Sequence, residues 1–344
     1  MNHVLQARTA HIRPQTVPPL LSIVVPFYNE ATVLPLCLAR ILAVTDVLNE
    51  PVELIFVDDG SIDGSAEILA EASADLKQVK IIRLSRNFGK EAAMTAGIEH
   101  SRGEALIILD ADLQDPPELI PDMLKVWREG ADVVLMQRSS RAGESWAKRA
   151  SAHLYYRLLN RLSSHSIPPD VGDFRLMNRR AIDALNSLPE RNRYMKGLFA
   201  WIGMETRILR YDRAPRAAGI TKWDYLGLIR LAMEGITSFS ISPLRCSTVL
   251  GAGAASLGAL YGIWIVLKAM LLGDAVVGYP SLIAVITFLG GCQLLTIGIL
   301  GEYVGKTYME AKQRPNYLVR EIIAAPTEAA VESLTLYREV AGGE

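Results

Sequence analysis

The chain has 344 residues, half of them apolar, a formal net charge of −1 and three cysteines. Near-neutral charge with only local basic clusters excludes nucleic acid as the main partner, and Cys37, Cys246 and Cys292 show neither metal nor disulfide spacing. The length allows two domains, or one domain plus something else, and the apolar residues are unevenly spread, because most of the charge precedes Arg245.

Residues 1–20, "MNHVLQARTAHIRPQTVPPL", hold no apolar core of signal-peptide type and read as a flexible leader. Two periods then alternate. "LLSIVVPFY" is a short apolar run with β-branched residues, hence a strand, and Glu30 to Ala43 has helical spacing. "VELIFVDDG" is a second strand, followed by a helix from Asp63 to Ala74 with Asp63 as N-cap. "VKIIRLS" is a third strand and Gly89 to His100 a helix. "EALIILDAD" is a fourth strand, "PPELIPDMLKVWREG" a helix and "ADVVLMQR" a fifth strand. Aliphatic runs alternating with amphipathic helices predict an α/β fold whose mostly parallel, Rossmann-like sheet is covered on both faces. Ligands of such sheets bind beyond the carboxyl ends of the strands, and "FYNE", "DDGS" and "DADLQ" all fall there.

After Arg138 the chain turns basic, through "RSSRAGESWAKRASAHLYYRLLNRLSSH" with helical apolar spacing, and "DVGDFRLMNRRAIDALNSL" reads as a turn, a short strand and a helix. Within residues 221–243, Trp223, Leu226, Ile229, Met233 and Ile236 form one apolar stripe. That suits a helix in a membrane headgroup layer, with an ordinary core helix as the alternative. Cys246 to Leu267 and Ala275 to Gly301 carry no charge, and a hydrocarbon layer needs about 20 residues of helix. The expectation is a transmembrane hairpin over 244–303, with spans at 246–267 and 278–301, and a tail over 304–344. Arg245 before the hairpin, and Lys306, Lys312, Arg314 and Arg320 after it, put both chain ends and the domain over 21–220 in the cytoplasm. Glycines in the spans, Gly251, Gly253, Gly258, Gly290, Gly291 and Gly298, suit close helix approach within the hairpin or in a homo-oligomer.

The acidic cluster ending the fourth strand carries the most chemistry. Asp110, Asp112 and Gln114 offer oxygen ligands of the kind Mg²⁺ and Mn²⁺ prefer, and Mg²⁺ usually shares its shell with substrate phosphates. On a continuing strand Asp110 and Asp112 would point apart, so a turn beginning at Ala111 is needed to bring both to one ion. A solvated acidic loop is the alternative. Asp58 and Asp59 can accept hydrogen bonds from a base or ribose, or one of them can cap the next helix. Pro26 ends the first strand, Tyr28 can stack on a ring, and Glu30 can bond a base or cap a helix.

In order, "PFYNE", "VDDGS", "NFGKEAAMTAGI", "DADLQDPPE" and "GDFRLMNRR", followed by two spans, resemble family 2 glycosyltransferases. More narrowly they are similar to the bacterial undecaprenyl-phosphate glucosyltransferases, relatives of dolichyl-phosphate mannose synthase. The resemblance implies a GT-A catalytic domain and inverting transfer of a hexose from a nucleotide sugar to a polyprenyl phosphate at the cytoplasmic face of the inner membrane, serving cell-envelope glycans. UDP-glucose is the favoured donor, with another UDP- or GDP-sugar as the alternative. A non-catalytic sugar-nucleotide-binding membrane partner is the reading from another class. Carried over by motif, Pro26, Tyr28, Glu30, Asp58 and Asp59 surround the nucleoside, and Asp110, Asp112 and Gln114 surround the metal and diphosphate. Arg138 faces phosphate, Lys148 or Arg149 meets the lipid phosphate, and Arg216 and Lys222 form a basic loop near the diphosphate. Asp173 matches the acidic residue proposed to be catalytic.

Such a reaction brings two anions together, so cations must offset their repulsion. A phosphate monoester has a second pKa of roughly 6 and is mostly dianionic at neutral pH. Asp173 is therefore expected to hold Arg175 or a neighbouring cation in place rather than remove a proton, with the base role as the alternative.

Overall fold

The computed structural model describes residues 19–139, 171–191, 193–212, 237, 240–272 and 278–324. The core of the domain is one eight-stranded sheet. Its central strands are β1 (Leu21–Phe27), β2 (Val52–Asp58), β3 (Val79–Leu84) and β4 (Ala105–Ile108). They are parallel, in the order β3-β2-β1-β4. Each is buried on both faces, as strands between two helical layers must be. The helices α1 (Leu34–Leu48), α2 (Ser65–Ala72), α3 (Lys90–Glu99) and α4 (Ile120–Arg128) follow these four strands in turn. Two clusters of buried apolar side chains form the core, one on each side of the sheet.

Beyond β4 the sheet changes hand. β5 (Val133–Arg138) and β6 (Val171–Asn178) follow, with β6 antiparallel to both β4 and β5. α5 (Arg179–Asn186) and α6 (Met195–Trp201) lead to β7 (Thr206–Tyr211), which runs parallel to β5 at one edge. The other edge holds a strand that alternation alone did not reveal. Residues 319–324, within the segment expected to be a tail, form β8 (Val319–Ala324), antiparallel to β3. β7 was likewise not read from the sequence: five of its six residues are not buried, so the apolar signal is weak.

Strand order reverses between β1 and β4, so a crevice opens beyond their carboxyl ends, the place where such sheets bind ligands. Pro26 does not end β1, contrary to expectation; the strand runs on to Phe27 and pairs with β2 throughout. The reason is geometric. Leu109 N–H bonds Val24 O, so residue 24 faces β4, and residue 26, two along the strand, faces the same side. β4 has ended there at Ile108, and no ladder partner misses the amide hydrogen that proline lacks.

α7 (Ser242–Leu272) and α8 (Tyr279–Ala311) pack against each other as a pair of long helices. Both are long and apolar enough to cross a membrane, over Ser242–Ile265 and Phe288–Ala311, and those stretches are not buried within the chain. Leu257, Leu260, Trp264, Phe288 and Leu294 stand exposed along them. Among the described residues, a Cβ added at Gly251, Gly253, Gly258, Gly290, Gly291 or Gly298 meets no atom within 4 Å. The end of α8 is tied to the sheet domain. Glu310 accepts from the Arg191 N–H at 2.9 and 3.0 Å, and separately Lys306 Nζ donates to Thr237 Oγ1, just ahead of α7, at 2.6 Å.

Candidate active site

Four loops line the crevice, and their backbones explain why. The "YNE" and "DGSIDGS" loops are laced together. Asn29 N–H donates to Ser61 Oγ, Glu30 N–H to Ser65 Oγ, Ala31 N–H to Asp63 Oδ2, and Ile62 N–H to Asn29 Oδ1, at 2.9–3.2 Å. Asn29 sits at φ 53°, in the left-handed region asparagine tolerates. This detour explains why α1 starts at Leu34 rather than Glu30; Asp63 braces both loops and, from the residue before the N-cap Gly64, also accepts the Ser65 N–H that opens α2 at 3.1 Å. Tyr28 and Glu30 are left half-buried at the mouth.

Asp58 and Asp59 part company. Asp58 is 1% exposed; its Oδ1 accepts Ser61 N–H at 2.8 Å, and its Oδ2 lies 3.4 Å from Arg83 Nε. Arg83 also meets Glu67 at 2.9 Å and Glu321 of β8 at 2.8 Å. Asp59 turns the other way and accepts the N–H groups of Phe88 and Gly89 at 2.7 and 2.9 Å. Burial raises its carboxyl, against these two bonds. Asp59 thus ties down the chain entering α3. Gly60 is required directly after them: at φ +72° a Cβ would lie 2.5 Å from the carbonyl carbon of Arg86.

The expected turn after β4 is present. The strand stops at Ile108, and Leu113 takes φ 57° while its side chain stays buried. A leucine in that region costs on the order of 1–3 kcal/mol, which the surrounding packing must offset. Asp112 supports the turn, its Oδ1 accepting Gln114 N–H at 3.2 Å. Asp115, also buried, is structural: it accepts from Tyr211 Oη, and Tyr211 bonds in turn with Arg138 at the end of β5. Gly172 opposite has no side chain, and a Cβ there would lie 3.7 Å from an Arg138 terminal nitrogen.

Asp173 faces the same crevice from β6. Its partner is not Arg175 but Lys90, the first residue of α3, at 2.6 Å; Lys90 Nζ also lies 2.6 Å from Asp110 Oδ1. Burial alone would raise the Asp173 carboxyl, but Lys90, then Lys196, outweigh it and hold the group well below the usual carboxylate range. Arg175 is buried. It donates to Gly172 O at 2.8 Å and lies 3.8 Å over the Phe199 ring. Desolvation lowers its pKa to about 10, against the pull of Asp173. Lys90 lies in the "NFGKEAAMTAGI" motif, but nothing local to that motif marks its lysine as a site residue. Lys148, Arg149, Arg216 and Lys222 lie outside the described residues.

The donor chemistry fits a hard divalent cation. Asp110, Asp112 and Gln114 offer only oxygen, and the Lys90 ammonium already sets a positive charge on Asp110. Among the described residues no three His, Cys, Asp or Glu side chains converge on one point. Substrate oxygens would therefore complete the shell, as is usual for Mg²⁺.

A mostly parallel sheet with an acidic turn at its switch point, flanked by buried carboxylates and bases, is a GT-A glycosyltransferase domain. Residues 22–185 match the family described as Glycosyl transferase family 2. An uncharacterized glycosyltransferase of Synechocystis is 47% identical over 302 residues, 88% of this chain and 95% of that protein. The prophage bactoprenol glucosyl transferase homolog of Escherichia coli is 43% identical over 88% of this chain and 99% of its own. A crystal structure of glucosyl-3-phosphoglycerate synthase from Mycobacterium tuberculosis, with Mn²⁺, UDP-glucose and phosphoglyceric acid, aligns with 64% of this chain and 78% of that one. Its identity is 15% and its TM-score 0.46. This chain belongs to glycosyltransferase family 2. It is a glycosyltransferase.

Proposed function

We propose that this enzyme transfers glucose from UDP-glucose to undecaprenyl phosphate at the cytoplasmic face of the membrane, with inversion at the sugar carbon. The observation that carries the acceptor is the 43% identity to a protein named prophage bactoprenol glucosyl transferase homolog. That match spans 302 residues, too many to leave out the whole of α7 and α8. An acceptor with a long isoprenoid tail stays in the bilayer, and an apolar helix pair tied to the sheet domain supports a site held at its surface.

In this reading Pro26, Tyr28, Glu30 and Asp58 receive the uridine, and Arg83 holds Asp58 in orientation. Asp59 acts indirectly, through the loop at Phe88 and Gly89. Asp110, Asp112 and Gln114 hold Mg²⁺ or Mn²⁺, which when bound neutralises the leaving diphosphate. Arg138, propped by Tyr211, and the basic residues Lys148, Arg149, Arg216 and Lys222 meet the phosphates, where guanidinium allows bidentate contact. Asp173 is held as a carboxylate by Lys90, which makes it a weak base, and the acceptor phosphate is already largely deprotonated at neutral pH. Its task is to orient cations around that phosphate.

The test incubates membranes containing the protein with undecaprenyl phosphate, Mg²⁺ or Mn²⁺ and a panel of labelled nucleotide sugars. Label should enter the organic phase with UDP-glucose and not with UDP-galactose or GDP-mannose. Transfer from another donor alone would replace glucose, and no transfer to the lipid would remove the acceptor. Asp173→Asn should lose activity evenly across pH; a loss that steepens below the acceptor's pKa would restore the base role.

A further inference from the structure

Lys90 enters the roles assigned above only as the partner of Asp173, yet it stands at the centre of the site. Its ammonium lies 2.6 Å from Asp110, at the end of β4, and 2.6 Å from Asp173, on β6. Two carboxylates from different strands converge on one cation. The lysine side chain is 44% exposed, whereas Asp110 and Asp173 are 21% and 12% exposed, so the lysine stem is the most open member of the cluster. The local backbone is built to put it there. Asp59 fixes the Phe88 and Gly89 amides, Gly89 takes φ 98°, and α3 begins at the next residue. A structural ion pair needs only one partner. This cation has two, and one of them is the carboxylate that begins the acidic turn.

An ammonium and a divalent ion compete for that oxygen, because a Mg²⁺–oxygen contact is about 2.0–2.1 Å and two cations on one carboxylate repel. Lysine suits such an exchange: it is a point charge on a flexible stem, with three donors that need no fixed fork. We propose that Lys90 is a positioning residue that holds Asp110 and Asp173 together before the donor binds, yields Asp110 to the incoming metal, and stays on Asp173. This rests on the reading that Asp110 is a metal ligand. Loading of the metal-bound donor then alters the cation beside Asp173, so the donor and acceptor sides of the crevice respond to each other. A free donor of the released ammonium faces the crevice where the acceptor phosphate would sit.

The experiment measures Mn²⁺ binding to the full-length chain in detergent, without nucleotide, from the electron paramagnetic resonance signal of free Mn²⁺. Lys90→Met removes the competing charge and should bind Mn²⁺ about tenfold more tightly than wild type. Lys90→Arg keeps the charge and should stay near wild type, and Asp110→Asn should abolish binding in either background. Lys90→Met should also lower kcat for glucose transfer without raising KM for UDP-glucose. Misfolding would weaken metal binding, so a gain in affinity cannot come from it. If Asp110→Asn abolishes binding but Lys90→Met leaves it unchanged or weaker, the exchange role of Lys90 falls and the metal site stands. If Asp110→Asn leaves Mn²⁺ binding intact, both fall.

Discussion

Gly97, in the last turn of α3, packs its backbone directly against the sheet. A Cβ there would lie 2.2 Å from Val24 Cγ1 and 3.2 Å from both Val24 Cγ2 and Val57 Cγ2. Carbon atoms in contact prefer about 3.5–4.0 Å, so Gly97→Ala forces the helix outward by more than an ångström or drives Val24 off its rotamer. Val24 is fully buried and has nowhere to turn. Overpacking of this kind costs about 1–3 kcal/mol, and alanine returns up to about 1 kcal/mol of helix propensity. The net expectation is a loss of about 1–2 kcal/mol, seen as a thermal midpoint lower by about 2–6 °C in detergent. The same displacement moves Lys90, at the start of the helix, away from Asp110 and Asp173. Glucose transfer should therefore fall by about tenfold or more, since a shift of about 1 Å can cost 10²-fold. Val24→Ala alone should cost on the order of 2 kcal/mol. Combined with Gly97→Ala it makes room, so the double variant should be at least about 1 kcal/mol more stable than the sum of the singles. A Gly97→Ala protein as stable as wild type, or strictly additive effects, would refute the close-approach argument.

Three further expectations follow from the same geometry. Burial, then the Asp173 charge, pushes the Glu91 carboxyl up to about 8 from 4.5, against the Met195 N–H it accepts. Its folded pKa is raised, so its protonated form stabilises the fold at low pH and that contribution is lost as pH rises from 4.5 through about 8. Glu91→Gln should flatten the decline in stability over that window, at most about 1.4 kcal/mol for each pH unit; a pH profile overlaying wild type would count against it. Asp59→Ala orphans the Phe88 and Gly89 amides, at about 1–3 kcal/mol each, and should speed hydrogen exchange at residues 86–90. Unchanged exchange there would mean the loop holds itself. Arg83→Met should weaken UDP binding by about tenfold, as expected for a lost charged partner. Glu321→Gln, touching only a surface ion pair, should weaken it by about fivefold at most. Equal effects in calorimetry would show that β8, not Asp58, is what Arg83 serves.

Much of this molecule can be read from its chain, and the reason is periodicity. Strands buried on both faces must be continuous aliphatic runs, so β1 to β5 declare themselves, and so do the uncharged stretches of α7 and α8. The acidic turn is equally visible, because carboxylates after a buried strand need a cation. What stays hidden depends on partners distant in sequence. β7 and β8 lie at sheet edges, where one side lacks a neighbour and apolar patterning is weak. Pro26 is harmless inside β1 only because β4 stops short. Nothing in "VDDGS" says that Asp58 turns to Arg83 while Asp59 turns to the loop before α3. Nothing in "NFGK" says that its lysine will reach Asp110, 20 residues on, and Asp173, 83 residues on. Local sequence determines which segments are strands, helices and charged turns. Which carboxylate meets which cation is decided by strand order, since that alone sets the distances on which Coulomb energy depends.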